Sequence, residues 1–249
     1  MTATTPQLAA TSQSARPRRK RRWLRWTLAG IAVVVVLIVA LVAVAIKLQP
    51  TPAPLALPAN TTAPVGPTDG TYQTAYGSMA GFRIQQTVIG LTSDVVGRTN
   101  DITGAVTIAG GQATTAGLRV GLLALTTGDA KPAPQFGISL DTQRYPDATI
   151  SLAQPLILDP TFTSGTTVTV SAAGTLTLHG VTRTTAVTLS LRRDGTNVDI
   201  AGSVPLALSD YGMARPKGYG ALGSLADHGT AEFLLILHRA GPQLPDRAG

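Results

Sequence analysis

Three histidines, His179, His228 and His238, and a set of carboxylates that is nearly all aspartate are the chain's means for acid–base or metal chemistry. None of the histidines stands in an H-x-H or H-E-x-x-H spacing. A zinc site needs three or more converging ligands held by outer hydrogen bonds, so no metal site is expected. No G-x-S-x-G occurs to present a serine nucleophile on a strained turn, and Ser209-Asp210 are neighbours in sequence, which is not how a triad is assembled. Asp69, Asp101, Asp129, Asp141, Asp194 and Asp227 fall among turn residues, where a carboxylate accepts from nearby backbone amides. A carboxylate pair for glycosidic chemistry stays open. With no cysteine there is no disulfide framework, thiolate zinc site or thiol nucleophile. No catalytic residue is assigned, and no enzyme is expected.

The elements that carry these residues read as strands. Thr71–Ala75, Phe82–Val88, Ile102–Ile108, Leu118–Leu125, Thr149–Leu152, Val168–Leu178, Val187–Leu191, Val198–Leu208 and Glu232–His238 are apolar or alternating runs bounded by Gly, Asp, Asn and Pro. Gly174–Val181 is the sharpest: Leu176 and Leu178 share one face, and His179-Gly180 turns the chain into a second alternating run. No strand–helix–strand rhythm and no glycine-rich phosphate loop interrupts the series. About eight to nine strands in some 170 residues predict an all-β, antiparallel barrel or sandwich. The exception is Ala130–Pro146, where a short helix or irregular loop is expected over one barrel end.

Upstream of residue 70 the composition changes twice. Residues 1–25 form a basic tail, with seven cations between Arg16 and Arg25 and no acid. Thr27–Ile46 then holds no charge, and as a helix it spans roughly 30 Å, the hydrocarbon thickness of a bilayer. Residues 26–47 are therefore predicted to be a single transmembrane helix. Trp23 and Trp26 sit at its inner edge, and the flanking cations hold the N-terminus in the cytoplasm. The competing reading is a cleaved signal peptide ending at Ala43-Val44-Ala45, but the apolar run exceeds the usual 7–15 residues of such a segment. In either case the rest of the chain is exported. Residues 48–69, with six prolines, are an extended spacer. Residues 70–240 are the barrel domain and 241–249 a flexible tail. Beyond Lys47 there are 12 basic and 13 acidic residues, so the high pI belongs to the tail and no nucleic-acid partner is expected.

Four motifs now line up in order. Val96-Gly97-Arg98-Thr99 precedes Val106-Thr107-Ile108; Tyr145-Pro146 precedes Ala148-Thr149-Ile150; Gly174-Thr-Leu-Thr-Leu-His-Gly-Val follows; and Ser209-Asp210-Tyr211-Gly212 closes the series. Together they resemble the YceI-like family across Gly70–Arg239. The resemblance implies an extended, lipocalin-like antiparallel barrel that holds a polyisoprenoid or similar amphiphile, such as an isoprenoid quinone, in an internal channel. It implies no other cofactor. Two departures concern the head group. The stretch Gly128–Gly137 lacks the histidine and one phenylalanine of the family pattern, and Leu208 stands where an arginine is common before S-D-Y-G.

Alternation places Phe82, Ile84, Val88, Leu118, Val120, Leu122, Ile150, Leu152, Leu176, Leu178, Leu206 and Leu208 on the apolar registers as candidate ligand contacts, with Phe136, Tyr145, Tyr211 and Tyr219 at the rims. The same residues would serve as ordinary core in a barrel filled by its own side chains. Function therefore reads as a membrane-tethered, extracytoplasmic lipid-binding module of the bacterial cell envelope. A non-binding structural or interaction module is the alternative, and an enzyme acting on envelope lipid or glycan is third. The sequence leaves the oligomeric state open.

Overall fold

The structure, a computed structural model, describes residues 51–59, 61–127, 131–132, 140–214 and 223–241, together with ten helical positions between 30 and 44. The chain divides into two compact units, Met1–Gln49 and Pro50–Gly249. In the first, the described side chains Ile31, Val33, Val34, Val36, Leu37, Ile38, Leu41 and Val44 are all exposed. Among the described residues no helix is long and apolar enough to cross a membrane. The ends of the predicted segment, the basic tail and the C-terminal tail lie outside the described residues.

The second unit is an antiparallel β-barrel. Its strands are β1 (Gly70–Thr74), β2 (Met79–Val88), β3 (Leu91–Thr99), β4 (Ile102–Ala109), β5 (Gln112–Gly121), β6 (Thr126–Thr127), β7 (Lys131–Pro132), β8 (Asp147–Leu152), β9 (Leu156–Ile157), β10 (Val168–Leu178), β11 (Val181–Asp194), β12 (Asn197–Ala207) and β13 (Gly223–Arg239). β1 and β2 form one interrupted stave, and so do β3 and β4. With β5, β8, β10, β11, β12 and β13 they make eight staves in chain order. β13 pairs β12 on one side, and on the other it pairs β2 along its first half and β1 at its end, which closes the barrel. Closure gives each stave a partner on both sides along part of its length.

The expected strands are present, with one correction. Leu91–Thr99 is not among the expected strands, and it is β3, paired with β2 over its whole length. Ser93, Asp94, Gly97 and Arg98 break the apolar alternation that marks a strand. They fit because Asp94 pairs with Arg83 at 3.1 Å and Gly97 leaves its face free for the Phe82 ring. β11 also begins at Val181, six residues before its apolar run, because Arg183 and the threonines around it face outward. In the 130–146 connection, residues 141–144 form a turn, while 133–139 lie outside the described residues.

The core runs down the barrel axis. One end is sealed by Tyr72, Phe162, Val198 and Leu237, each at most 1% exposed. Phe162 comes from a short 3-10 helix, Pro160–Ser164, capped by Asp159. Thr161 donates to the Asp159 carboxylate from both its amide and its hydroxyl, which holds that carboxyl below its ordinary pKa. The break between β1 and β2 is repaired by Ser78. Its hydroxyl donates to Ile236 O at 3.2 Å and accepts from Ile236 N at 3.0 Å, replacing two ladder bonds. Ser78 is buried, so Ser78→Ala is expected to cost about 1–3 kcal/mol by stranding Ile236 N–H, while Ile236 O keeps its bond from Ala75 N at 2.8 Å; a lowered denaturation midpoint at an unchanged slope is the readout.

Proline-rich residues 51–69 lie along the outside of this barrel. A proline has no N–H, so such a segment offers mainly carbonyls, and five arginines take them. Arg83 donates to Pro52 O at 2.8 Å, Arg98 to Ala53 O and Arg192 to Pro58 O at 2.7 Å. Arg193 donates to Val65 O at 2.9 Å and Gly66 O at 3.1 Å, and Arg239 donates to Pro67 O and to Asp69 O. The segment's free amides are used too. Leu55 N donates to the Glu232 carboxylate at 3.1 Å, Thr62 N to Asp194, and Val65 N to Gly195 O at 3.0 Å. The segment's described residues up to Asp69 form neither helix nor strand, and they are a strap bonded to the barrel wall. Its composition gave no sign of this, because the donors lie 30 or more residues away in sequence.

Two buried charged clusters result. Glu232, 5% exposed, lies within 3.6 Å of both Arg83 and Arg98. Asp199, 2% exposed, faces Arg192 at 3.5 Å. Burial raises the Asp199 pKa, and Asp194 nearby adds to this, outweighing the pull of Arg192. A raised carboxyl pKa favours the native state while the group is protonated. That contribution is full below the ordinary carboxylate value and is lost as pH rises through the raised native value. The melting temperature of the natural chain minus that of Asp199→Asn should therefore increase as pH falls from 7 towards 4. A difference that stays flat across that range contradicts this assignment.

Candidate functional site: an apolar cavity in one half of the barrel

Away from the sealed end, the staves enclose a cavity of about 120 Å³. It is bounded by Ile84 and Phe82 of β2, Leu118 and Val120 of β5, Ile150 of β8, Leu176 and Leu178 of β10, Val204 and Leu206 of β12, and Ala231 and Phe233 of β13. Leu122, Leu125, Leu140, Leu208 and Met213, from the two connections at that end, complete it. A second space of about 60 Å³ lies deeper, and it shares Leu118, Ile150 and Phe233 with the first. Those three side chains form the partition between two chambers.

Strand alternation supplies this lining. Each inward residue on an antiparallel stave is flanked by outward ones, so one apolar register gives one apolar wall. Two rings occupy the space by lying across glycines: Phe233 over its cross-strand partner Gly202, and Phe82 over Gly97. A Cβ at either glycine would meet the ring. Thr149, Thr230 and Glu232 are the lining residues with polar side chains, and the Glu232 carboxylate is held on the strap side by Leu55 N–H and the arginines. The site holds no acid–base pair, and among the described residues no cluster of three metal ligands exists.

Of the residues singled out in the sequence, Phe82, Ile84, Leu118, Val120, Leu122, Ile150, Leu176, Leu178, Leu206 and Leu208 line the larger chamber, and Leu152 lines the deeper one. Val88 sits at the far tip of the β2–β3 hairpin and lines neither. Tyr145 and Tyr211 are not at the cavity. The Tyr145 ring packs on His179, centroids 4.7 Å apart, and Tyr211 is buried in a 3-10 turn, Leu208–Tyr211. Burial, reinforced by the neighbouring Asp210, raises the Tyr211 pKa. Phe136 and Tyr219 lie outside the described residues. Sequence reasoning missed Leu125, Leu140, Met213 and Phe233; the first three stand in irregular connections, where no period marks a facing side chain.

The His179-Gly180 tip has positive φ at both residues, 52° and 74°, as a tight two-residue hairpin turn requires. His179 Nδ1 lies 3.1 Å from Tyr211 O, and Arg183 donates to Asp210 O. The hairpin therefore clamps the S-D-Y-G turn beside the cavity, and His179 is a structural contact.

A closed eight-stave antiparallel barrel around an apolar interior is a lipocalin-like fold. A model of the YceI-like domain matches residues 73–234, and the chain belongs to that family. Among solved structures, a polyisoprenoid binding domain from Saccharophagus degradans, implicated in plant cell wall breakdown, is similar at 17% identity with TM-score 0.53 over 70% of this chain and all of that one. BcnA from Burkholderia cenocepacia matches at 14% identity over 62% of this chain and 95% of its own, TM-score 0.44. The YceI protein of Campylobacter jejuni matches at 13% identity over 56% and 83%, TM-score 0.39. No curated protein sequence matches the chain.

Proposed function

We propose that this protein is a membrane-tethered, extracytoplasmic carrier that holds a polyisoprenoid or similar amphiphilic lipid in its barrel. The observation that carries the reading is the cavity wall: apolar side chains from six of the eight staves, with the one carboxylate of the lining drawn outward by the strap. An isoprenoid chain offers only apolar surface. Its burial is worth roughly 25 cal/mol per Å², so dry side chains suffice for affinity. Membership of the YceI-like family supports the same ligand class. The tether rests on the uncharged run of residues 27–46 and its basic flank.

The larger chamber is similar in size to engineered apolar cavities that admit a benzene, smaller than a polyisoprenoid. A long chain must therefore turn aside the partition of Leu118, Ile150 and Phe233 and use both chambers. Native mass spectrometry of the full chain, released from membranes in mild detergent, tests the proposal. The expected result is a bound mass matching an isoprenoid lipid. Ligand-free protein alone, with no rise in melting temperature on adding an isoprenoid quinone, would favour a barrel filled by its own side chains.

A further inference from the structure

We propose that the outer wall of the barrel, beneath the strap, carries a second binding site, and that its ligand is a neutral carbohydrate. The site is separate from the apolar cavity, and the inference holds whatever the barrel encloses.

The strap is pinned to the wall on either side of residues 56–57. Arg83 takes Pro52 O and Glu232 takes Leu55 N–H, while Arg192 takes Pro58 O. Beneath residues 54–57 it leaves a space of about 540 Å³, larger than either inner chamber. Small-molecule sites typically measure roughly 300–1,000 Å³. The space exists because the wall facing the strap is built from small polar side chains. The outward register sets Thr188 of β11, Ser203 of β12 and Glu232 of β13 directly across from one another. Two residues along β13, Thr230 lies opposite Arg83 of β2. A strap serving packing alone would fill this gap with side chains.

The lining has two kinds of surface. The floor is a row of hydroxyls, and those of Thr188, Ser203 and Thr230 bond to no other described residue. Glu232 completes the row. Its buried Oε1 lies 3.6 Å from both Arg83 and Arg98 but takes no hydrogen bond, whereas a buried carboxylate oxygen ordinarily has a donor. The roof is aliphatic, from Pro54, Leu55 and Leu57 of the strap. A sugar ring has the same two characters: hydroxyls that donate and accept around its edge, and C–H groups on its face. Neighbouring staves stand about 4.8 Å apart, so the row from Thr188 to Glu232 presents polar groups at intervals that alternate ring hydroxyls can meet.

Other ligand classes fit worse. An apolar chain would leave the hydroxyl row and Glu232 without partners. An ion meets no net charge, because Arg83 and Arg98 stand against Asp94 and Glu232. An extended peptide finds no backbone edge to join, since β11, β12 and β13 are paired on both sides at these residues.

Saturation-transfer NMR on the full chain in a deuterated, sugar-free phosphocholine detergent tests the site, with maltose, cellobiose, mannobiose and galactobiose as probes. At least one is expected to receive saturation, strongest at the ring C–H protons that meet the strap. Ser203→Ala should weaken its binding about fivefold, the worth of one hydrogen bond. Thr188→Trp, at an exposed position, fills the groove and should abolish the transfer. Thr184→Trp, on the same stave but outside the groove, should leave it intact. No transfer to any of the four sugars, or undiminished transfer in a folded Thr188→Trp, overturns the site. Should Thr188→Trp lose the circular dichroism of the barrel, the Ser203→Ala titration decides, and an unchanged affinity there overturns the proposal.

Discussion

Replacing Ile150 by Trp is expected to cut lipid occupancy at least tenfold while leaving a folded barrel. Ile150 lines both chambers and is only half-buried, so the larger ring can fill the space at the partition without displacing a fully packed side chain. Overpacking costs typically 1–3 kcal/mol, within what a domain of this size withstands. A ligand that must occupy both chambers loses the burial of one, and every 1.4 kcal/mol of lost burial is tenfold in affinity. Native mass spectrometry reads the bound fraction, and circular dichroism checks the fold. Thr184→Trp, an exposed outward position on β11, is the matched control and should keep full occupancy. Undiminished lipid in Ile150→Trp would place the ligand outside the barrel.

Removing Arg193 is expected to produce the largest loss of stability. Arg193 is 4% exposed and has no carboxylate partner among the described ion pairs. It is held by oxygens alone: Val65 O, Gly66 O, Thr68 Oγ1 at 3.1 Å and Thr163 O at 3.4 Å. One side chain thus fastens the strap, the 3-10 helix of Phe162 and the end of β11 into a single plug. Arg193→Ala removes four hydrogen bonds to acceptors on exposed or half-buried residues, each worth about 1 kcal/mol. A total near 3–4 kcal/mol is expected, or a melting temperature lower by roughly 10 °C. Arg193→Lys should recover only part, because an ammonium cannot span the guanidinium's fork of acceptors. Limited proteolysis within residues 51–69 should quicken in the alanine variant. A melting temperature unchanged within 2 °C would show that the plug is held by Phe162 and Tyr72 alone.

These two predictions concern different ends of one barrel, and the two ends differ in physical character. At the sealed end, a buried arginine takes several directional hydrogen bonds, which fix geometry. At the cavity end, the wall is apolar and contacts are non-directional, so side chains can turn aside for a ligand at small cost. The S-D-Y-G turn, clamped by His179 and Arg183, is the rigid lip between them and solvent.

Much of the cavity was legible in the sequence. A period of two in Leu118, Val120, Leu122 or in Leu176, Leu178 states which residues share a face, and closure of the sheet makes that face an interior. Eleven of the sixteen chosen residues line one chamber or the other for this reason. Tyr145 and Tyr211 were placed by type, as aromatic residues near a rim, and no periodicity governed them. The turn at His179-Gly180 was equally plain, because only a tight hairpin joins two alternating runs across two residues. β3 was not legible, since its charges and glycine find partners only once β2 lies beside it.

The strap marks the boundary between the two kinds of information. By itself the sequence determined that residues 48–69 are extended, since six prolines forbid helix and remove the amides a sheet would need. It determined a sheet protein with a dry interior, because alternation is local. Where the strap lies, and which end of the barrel it leaves from, was decided by tertiary structure alone. Arg83, Arg98, Arg192, Arg193 and Arg239 look like ordinary surface cations in the chain. Only the closed barrel brings Arg83, Arg98 and Arg192 to residues 52–58 of the strap, and Arg193 and Arg239 to residues 65–69, where they meet its carbonyls.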